Sequence, residues 1–157
     1  MSTSSAVTRF AALALLALVI LGPAAPAYGQ ETREYINART ASDGAVPPFS
    51  GAVRIGETLY LSGMIGLNAD REIPDTAEEE ARLVMNSVKS TLEAAGMTMD
   101  DIVSVQVFCT DLGHYDAFNS VYRTYFDQEF PARAFIGAGS LLFDARFEVQ
   151  SIAVRRK

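Results

Sequence analysis

A chain of 157 residues, 49% hydrophobic and 20% charged, suits one globular domain and is too apolar for a disordered one. A single Cys excludes a disulfide framework, and one His beside one Cys cannot build an all-protein zinc site. With 13 Lys+Arg against 19 Asp+Glu, a net charge of -6 and a pI near 4.7, any contact with a phosphate backbone would work against the field of the whole chain, so no nucleic-acid partner is expected.

The apolar residues are unevenly spread. Arg9 is followed by twelve consecutive apolar residues, Phe10 to Leu21, then Gly22-Pro23 and the small-residue run Ala24-Ala25-Pro26-Ala27. A basic start, a short apolar stretch and an A-x-A site predict a secretory signal peptide over residues 1–27, cleaved after Ala27, because twelve residues are too few to span a bilayer as a helix. The expected product is exported, periplasmic or secreted, and free of the membrane once the signal is removed. It has 130 residues and, with Arg9 gone, a charge of -7. Residues 28–46 show no sustained period and read as a polar leader or an irregular first strand, ahead of a domain over 47–157.

Pro47-Pro48 forces an extended backbone, and two short apolar runs, Ser50 to Ile55 and Thr58 to Ser62, flank Gly56-Glu57 as a β-hairpin would. Gly63, Gly66, Asn68 and Pro74 mark a loop. From Asp75 the period changes: Ala81, Val84, Met85, Val88, Leu92 and Ala95 form one helical stripe, with Thr76 and Glu79 as a capping box and Gly96 just past the end. Val103, Val105 and Val107 then alternate as a strand. Tyr115, Phe118, Tyr122, Tyr125 and Phe126 return to helical spacing, which Pro131 stops.

Two final strands are predicted, Arg133 to Gly139 and Arg146 to Val154, the last two paired as a second hairpin. The order ββαβαββ is that of an α+β sandwich with two helices packed on one face of a mixed sheet. Two helices leave the other face open. A second copy of the chain is the economical cover, so an oligomer is expected.

Cofactor motifs are absent: there is no P-loop and no G-x-G-x-x-G opening a helix, so neither a cofactor nor a metal is expected. His114, between Asp111 and Asp116, reads as a surface or capping residue, and Cys109 at the end of a strand as a buried, inert thiol. The run Glu78-Glu79-Glu80 suits a solvated first helical turn. Arg133 is different, because it heads a strand whose other residues are small or apolar. A guanidinium there either pairs with an internal carboxylate or grips the carboxylate of a ligand.

These residues carry a resemblance. Leu61-Ser62-Gly63, Leu92-Glu93-Ala94-Ala95-Gly96, Asp101-Ile102-Val103, Val107-Phe108 with Asp111-Leu112, Asn119 with Tyr122 and Phe126, Phe130-Pro131-Ala132-Arg133, and Glu148 with Ile152-Ala153-Val154 resemble the RidA (YjgF) family from about Pro47 to Arg155. The resemblance implies a chorismate-mutase-like fold, a homotrimer with ligand clefts between subunits, and hydrolysis of enamine and imine intermediates such as 2-iminobutanoate and 2-iminopropanoate to the 2-keto acid and ammonia. It implies Arg133 as the carboxylate clamp and Asn119 and Ser62 as polar contacts in the cleft.

Other positions depart from the family pattern. Phe49 stands where deaminase-type members carry Tyr, Phe135 stands where they carry Cys, and Met64 follows Ser62-Gly63 in place of Gln. The family's water-handling glutamate aligns with Gln150, an amide that orients water but accepts no proton. Glu148, about 6.6 Å away on the same strand face, is the remaining candidate, against a plain role in pairing with a neighbouring Arg or Lys. The alternative to a hydrolase is a non-catalytic protein that binds a small carboxylate or aromatic ligand in the same cleft. The family's endoribonuclease label fits poorly with this charge and with the absence of a histidine pair.

Overall fold

The computed structural model describes residues 32–37 and 48–156. The predicted signal peptide and most of the predicted leader lie outside these residues. Among the described residues no helix is long and apolar enough to cross a membrane.

Seven strands form one mixed sheet: β1 (Arg33–Ile36), β2 (Ala52–Ile55), β3 (Thr58–Leu61), β4 (Met64–Ile65), β5 (Ile102–Cys109), β6 (Ala132–Gly137) and β7 (Phe147–Val154). Two helices, α1 (Ala77–Ala94) and α2 (Tyr115–Tyr122), accompany them, α2 continuing into a 3-10 turn, Arg123–Tyr125. The predicted hairpin is β2 and β3, with Gly56 at φ 57 supplying the left-handed turn position. Its neighbour β1 is antiparallel to β2, so residues 33–36 of the leader form an edge strand.

The stripe along α1 packs as its spacing predicts: Ala81, Val84, Met85, Val88 and Leu92 are all buried. Thr76 Oγ1 accepts the Glu79 N–H at 3.2 Å, and Gly96 adopts φ 66 past the end. No basic side chain occupies the last turn of α1. Instead Arg54 and Arg155 reach from the sheet and donate to the Ala95 carbonyl at 3.1 and 3.0 Å.

The two final strands are not a hairpin. The unit β5-α2-β6 is a crossover, so β6 runs parallel to β5 at the sheet edge, and the chain returns to insert β7 between β3 and β5. The order is β1-β2-β3-β7-β5-β6, with the short β4 also against β7. Phe147, Val149, Ser151 and Ala153 are buried toward the helices, which leaves Glu148, Gln150 and Ile152 on the open face. The predicted loop after Gly63 contains β4. Between the pairs Tyr60↔Ile152 and Met64↔Val149 the β3–β4 segment has Leu61, Ser62 and Gly63 against only Gln150 and Ser151, a bulge that kinks the strand beside the start of β7.

One of the three glutamates predicted to be a solvated first turn is fully buried. Glu80 accepts the Arg146 and Phe147 N–H groups at 2.7 and 2.9 Å and pairs with Arg146 Nη1 at 2.8 Å. Helical periodicity turns Glu80 inward, beside Ala77 and Ala81, while Glu78 and Glu79 stay exposed. This carboxylate fixes the entry of β7.

Candidate functional site

The expected site residues fall into two clusters. The first lies at the edge strand β6, on the helix side of the sheet. Arg133 pairs in register with Val105, and Phe135 with Val107, both of which are buried toward the helices. The Arg133 guanidinium carbon is 4.6 Å from the Tyr122 ring centre, 5.6 Å from Phe135 and 5.9 Å from Tyr115. These are cation–π distances, and the rings fix the guanidinium without neutralising it.

Among the described residues no carboxylate forms an ion pair with Arg133. Of the two roles left open for this arginine, the internal ion pair is therefore absent. A cavity of about 200 Å³ opens beside it, lined by Asn119, Tyr122, Arg123, Phe130, Pro131 and Arg133. Phe135 lies behind the guanidinium, edge-on to Tyr115 at 5.0 Å and to Phe118 at 5.6 Å.

Tyr122 is the floor of this cluster. Its hydroxyl is buried without a hydrogen-bond partner, and burial pushes its pKa up to about 12 against the opposing pull of the Arg133 charge. Tyr122 reads from sequence as one more core aromatic of α2, and it is that as well, stacked on Phe118 at 5.8 Å. Arg123 does not stand out in the sequence. Its spacing from Asn119, one helical turn, is the signal that puts both on the cavity.

The second cluster lies across the sheet at the β3–β4 bulge. Ser62 Oγ donates to the Ser50 carbonyl at 2.6 Å, so this hydroxyl holds the bulge against the segment that carries the exposed Phe49 and has only its lone pairs left for a ligand. The Glu148 carboxylate rests on Gly63. A Cβ built there would overlap Glu148 Oε1 and sit 2.9 Å from Cδ, so the absence of a side chain at Gly63 makes the room. Among the described residues Glu148 has no Arg or Lys partner, which removes the plain ion-pair role. Gln150 faces its register partner Gln106 and lines a shallow depression of about 200 Å³ with Tyr60, Ser104 and Ile152.

The clusters do not meet within one chain. Arg133 lies on the helix side of β6 and Glu148 on the open side of β7, with β5 between, a lateral separation of about 10 Å at ordinary strand spacing. The remaining candidate residues take structural places. Cys109 is fully buried, and burial raises its thiol pKa although its sulfur contacts the Asp111 carbonyl at 3.0 Å. His114 packs edge-on to Phe147 at 6.1 Å.

Comparison with known proteins covers most of the chain. The profile of the family described as Endoribonuclease L-PSP matches residues 40–155. The 2-iminobutanoate/2-iminopropanoate deaminase of Dermatophagoides farinae is 36% identical over 111 residues, 69% of this chain and 87% of that protein. Its namesake in Mus musculus is 32% identical over 118 residues, 74% of this chain and 87% of the relative. Among solved structures, Escherichia coli TdcF with bound serine superposes with a TM-score of 0.68 at 34% identity, covering 72% of this chain and 92% of that one.

Proposed function

The chain belongs to the endoribonuclease L-PSP family, also called RidA or YjgF, and on that premise we propose that it hydrolyses reactive enamine and imine intermediates of the 2-iminobutanoate and 2-iminopropanoate type to the 2-keto acid and ammonia. The observation that carries the reading is Arg133, a guanidinium fixed by aromatic rings, without a protein carboxylate, at the wall of a cavity of about 200 Å³. Such a group has its two-pronged donor set free for a substrate carboxylate. The serine bound to Escherichia coli TdcF is itself a small molecule with a carboxylate of that kind.

The chemistry asks for a held carboxylate, a water and a proton acceptor. Arg133 holds the carboxylate, and Asn119 lies beside it on the cavity wall. Water adds its oxygen to the C=N carbon as it gives a proton to Glu148, and the C=N electron pair passes to nitrogen, which takes up a proton. The protonated Glu148 carboxyl then gives its proton to the carbinolamine nitrogen, the C–N bond breaks with its electron pair leaving on ammonia, and the O–H proton passes to solvent as the oxygen closes to the C=O of the keto acid. An enamine first takes a proton on carbon to become the imine. Glu148 is the acceptor in this scheme because its carboxylate is unpaired at the Ser62–Gly63 bulge, whereas the Gln150 amide can only orient the water.

Clamp and acceptor lie on opposite faces of the sheet, so the scheme puts the reaction between copies of the chain, in the homotrimer that the family resemblance implies, with Phe49 and Ser62 on the acceptor side. The predicted export belongs to the same proposal. An endoribonuclease reading gains little from two arginines at one small cavity of an acidic chain with a single histidine.

The test is the decay of 2-iminobutanoate generated in situ, with and without the protein. Acceleration that is lost in Arg133→Ala is expected. No acceleration, beside an active family control, would sink the hydrolase reading. If the protein then still gave a thermal shift with keto acids or aromatic acids that Arg133→Ala removes, it would be the non-catalytic carboxylate binder, a role the Phe135 and Phe49 substitutions favour.

A further inference from the structure

The cavity beside Arg133 holds two guanidinium groups and no carboxylate among its six lining residues. In a chain with 19 acidic against 13 basic residues, that composition runs against the average surface. Three other arginines have acidic partners, Arg54 with Glu34, Arg146 with Glu80 and Arg155 with Glu57; what distinguishes Arg123 and Arg133 is that both line one cavity without a carboxylate. Neither Arg123 nor Arg133 forms an ion pair among the described residues.

Two like charges around one small cavity repel each other, the more so at the half-buried Arg133 end against the ring of Tyr122 than at the exposed Arg123. A bound monocarboxylate relieves only part of this, because one bidentate contact occupies one guanidinium. A second anionic group would relieve the rest. The two arginines also differ in how firmly they are held. Arg133 is pinned by the ring of Tyr122 at 4.6 Å, as suits the clamp at the reacting end. Arg123 is exposed and sits one turn beyond Asn119 on the helical segment, where a flexible cation can follow ligands of slightly different length.

We infer that this cavity selects ligands with two anionic groups, Arg133 holding the carboxylate next to the imine carbon and Arg123 the distal one, so that 2-imino dicarboxylates are preferred over 2-imino monocarboxylates. The inference rests on the hydrolase reading of the same site and names its substrate class. A cavity of about 200 Å³ matches a compact diacid rather than a drug-sized molecule. Arg123 acts as a specificity residue: it touches the far end of the substrate and takes no part in moving protons.

Binding of stable product analogues separates this inference from the hydrolase reading. Titration of the full protein with 2-oxoglutarate and with 2-oxobutanoate, followed calorimetrically, is expected to give about tenfold tighter binding of the diacid, the worth of one further charge-assisted contact at a partly open site. In Arg123→Ala the ratio falls to about one, in Arg123→Lys it is partly restored, and in Arg133→Ala both affinities fall. Equal affinity of the wild-type protein for the two acids, or a preference that survives Arg123→Ala, would overturn the inference and leave the Arg133 clamp standing. Binding of neither acid, with imine decay unaccelerated, would overturn both.

Discussion

Gly63→Ala offers a way to move the proposed proton acceptor without disturbing the fold. A Cβ at this position would overlap Glu148 Oε1 and lie 2.9 Å from Cδ and 3.2 Å from Cγ, so its three nearest neighbours all belong to one side chain. The carboxylate is the free end of a flexible chain with no ion-pair partner among the described residues. It must withdraw by about 1.5 Å to reach ordinary contact with the new Cβ, which a flexible side chain does at little cost to stability, and a misplacement of even about 1 Å costs a positioned catalytic group about 10²-fold in rate. The expected result is a fall of about 10² in kcat/KM, some 2.7 kcal/mol of transition-state stabilisation, with a thermal midpoint close to wild type. The assay is imine decay beside a melting curve, with Gly66→Ala as a contrast. There the new Cβ overlaps the Glu80 carbonyl and comes within 3.1 Å of its carbon, a backbone clash that should cut stability sharply. Full activity in a normally folded Gly63→Ala protein would refute the assignment of Glu148.

Glu80→Ala removes a fully buried carboxylate and orphans the Arg146 and Phe147 N–H groups, so urea unfolding should reveal a loss of about 3 kcal/mol or more. At Asp101, burial acts to raise the pKa, but hydrogen bonds from Thr98 and Arg156 and the Arg156 charge outweigh it and hold the carboxyl below its ordinary 3.8. Its stabilisation is present above about pH 4 and lost as pH falls through the lowered folded value, so the stability gap between wild type and Asp101→Asn should be widest near neutrality and close on acidification. Tyr122→Phe deletes a buried hydroxyl that has no partner while keeping the ring under Arg133, and should raise stability by about 1 kcal/mol in chemical denaturation. Equal mixing of unfolded Arg133→Ala and Glu148→Ala chains, followed by refolding together, should restore about a quarter of wild-type imine hydrolysis if each cleft takes its clamp and its acceptor from different copies; no recovery would place both groups in one chain.

Much of the fold is legible in the sequence because it is periodic. The α1 stripe, the alternation of β5 and β7, and the turn at Gly56 each follow from local spacing and backbone freedom. What escapes is decided by partners remote in sequence. Strand β1 is exposed on three of its four residues and exists because β2 offers an edge. Strand β4 is two residues long, inside a stretch whose glycines read as loop. The central place of β7 cannot be seen from its own residues, since an alternating strand looks the same beside β6 as between β3 and β5. At the site, Arg133 stands out as a charge at the head of an apolar strand, and the shared face of Glu148 and Gln150 follows from period two. That Gly63 receives the Glu148 carboxylate depends on a bulge formed by a count mismatch between two strands, which no local pattern announces.

The two clusters are held by different parts of the fold. Arg133 is fixed by Tyr122, Tyr115 and Phe135 on one side of the sheet, while Glu148 is fixed by Gly63 and, through Arg146 and Phe147, by Glu80 on the other. Phe118 links the two supports, packing on Phe135 at 5.6 Å and on Phe147 at 4.9 Å. A substitution at Phe135 therefore reaches Phe147 through Phe118, whereas one at Gln150, on the open face, leaves the clamp in place. Because the sheet stands between them, a ligand touching both must sit where the helix-side edge of one copy meets the open face of another. In the proposed intersubunit site the apolar residues left on that face, Tyr60, Ile136 and Val154, each more than a third exposed, would be covered by a neighbouring chain, and the assembly that buries them would be the one that completes the site.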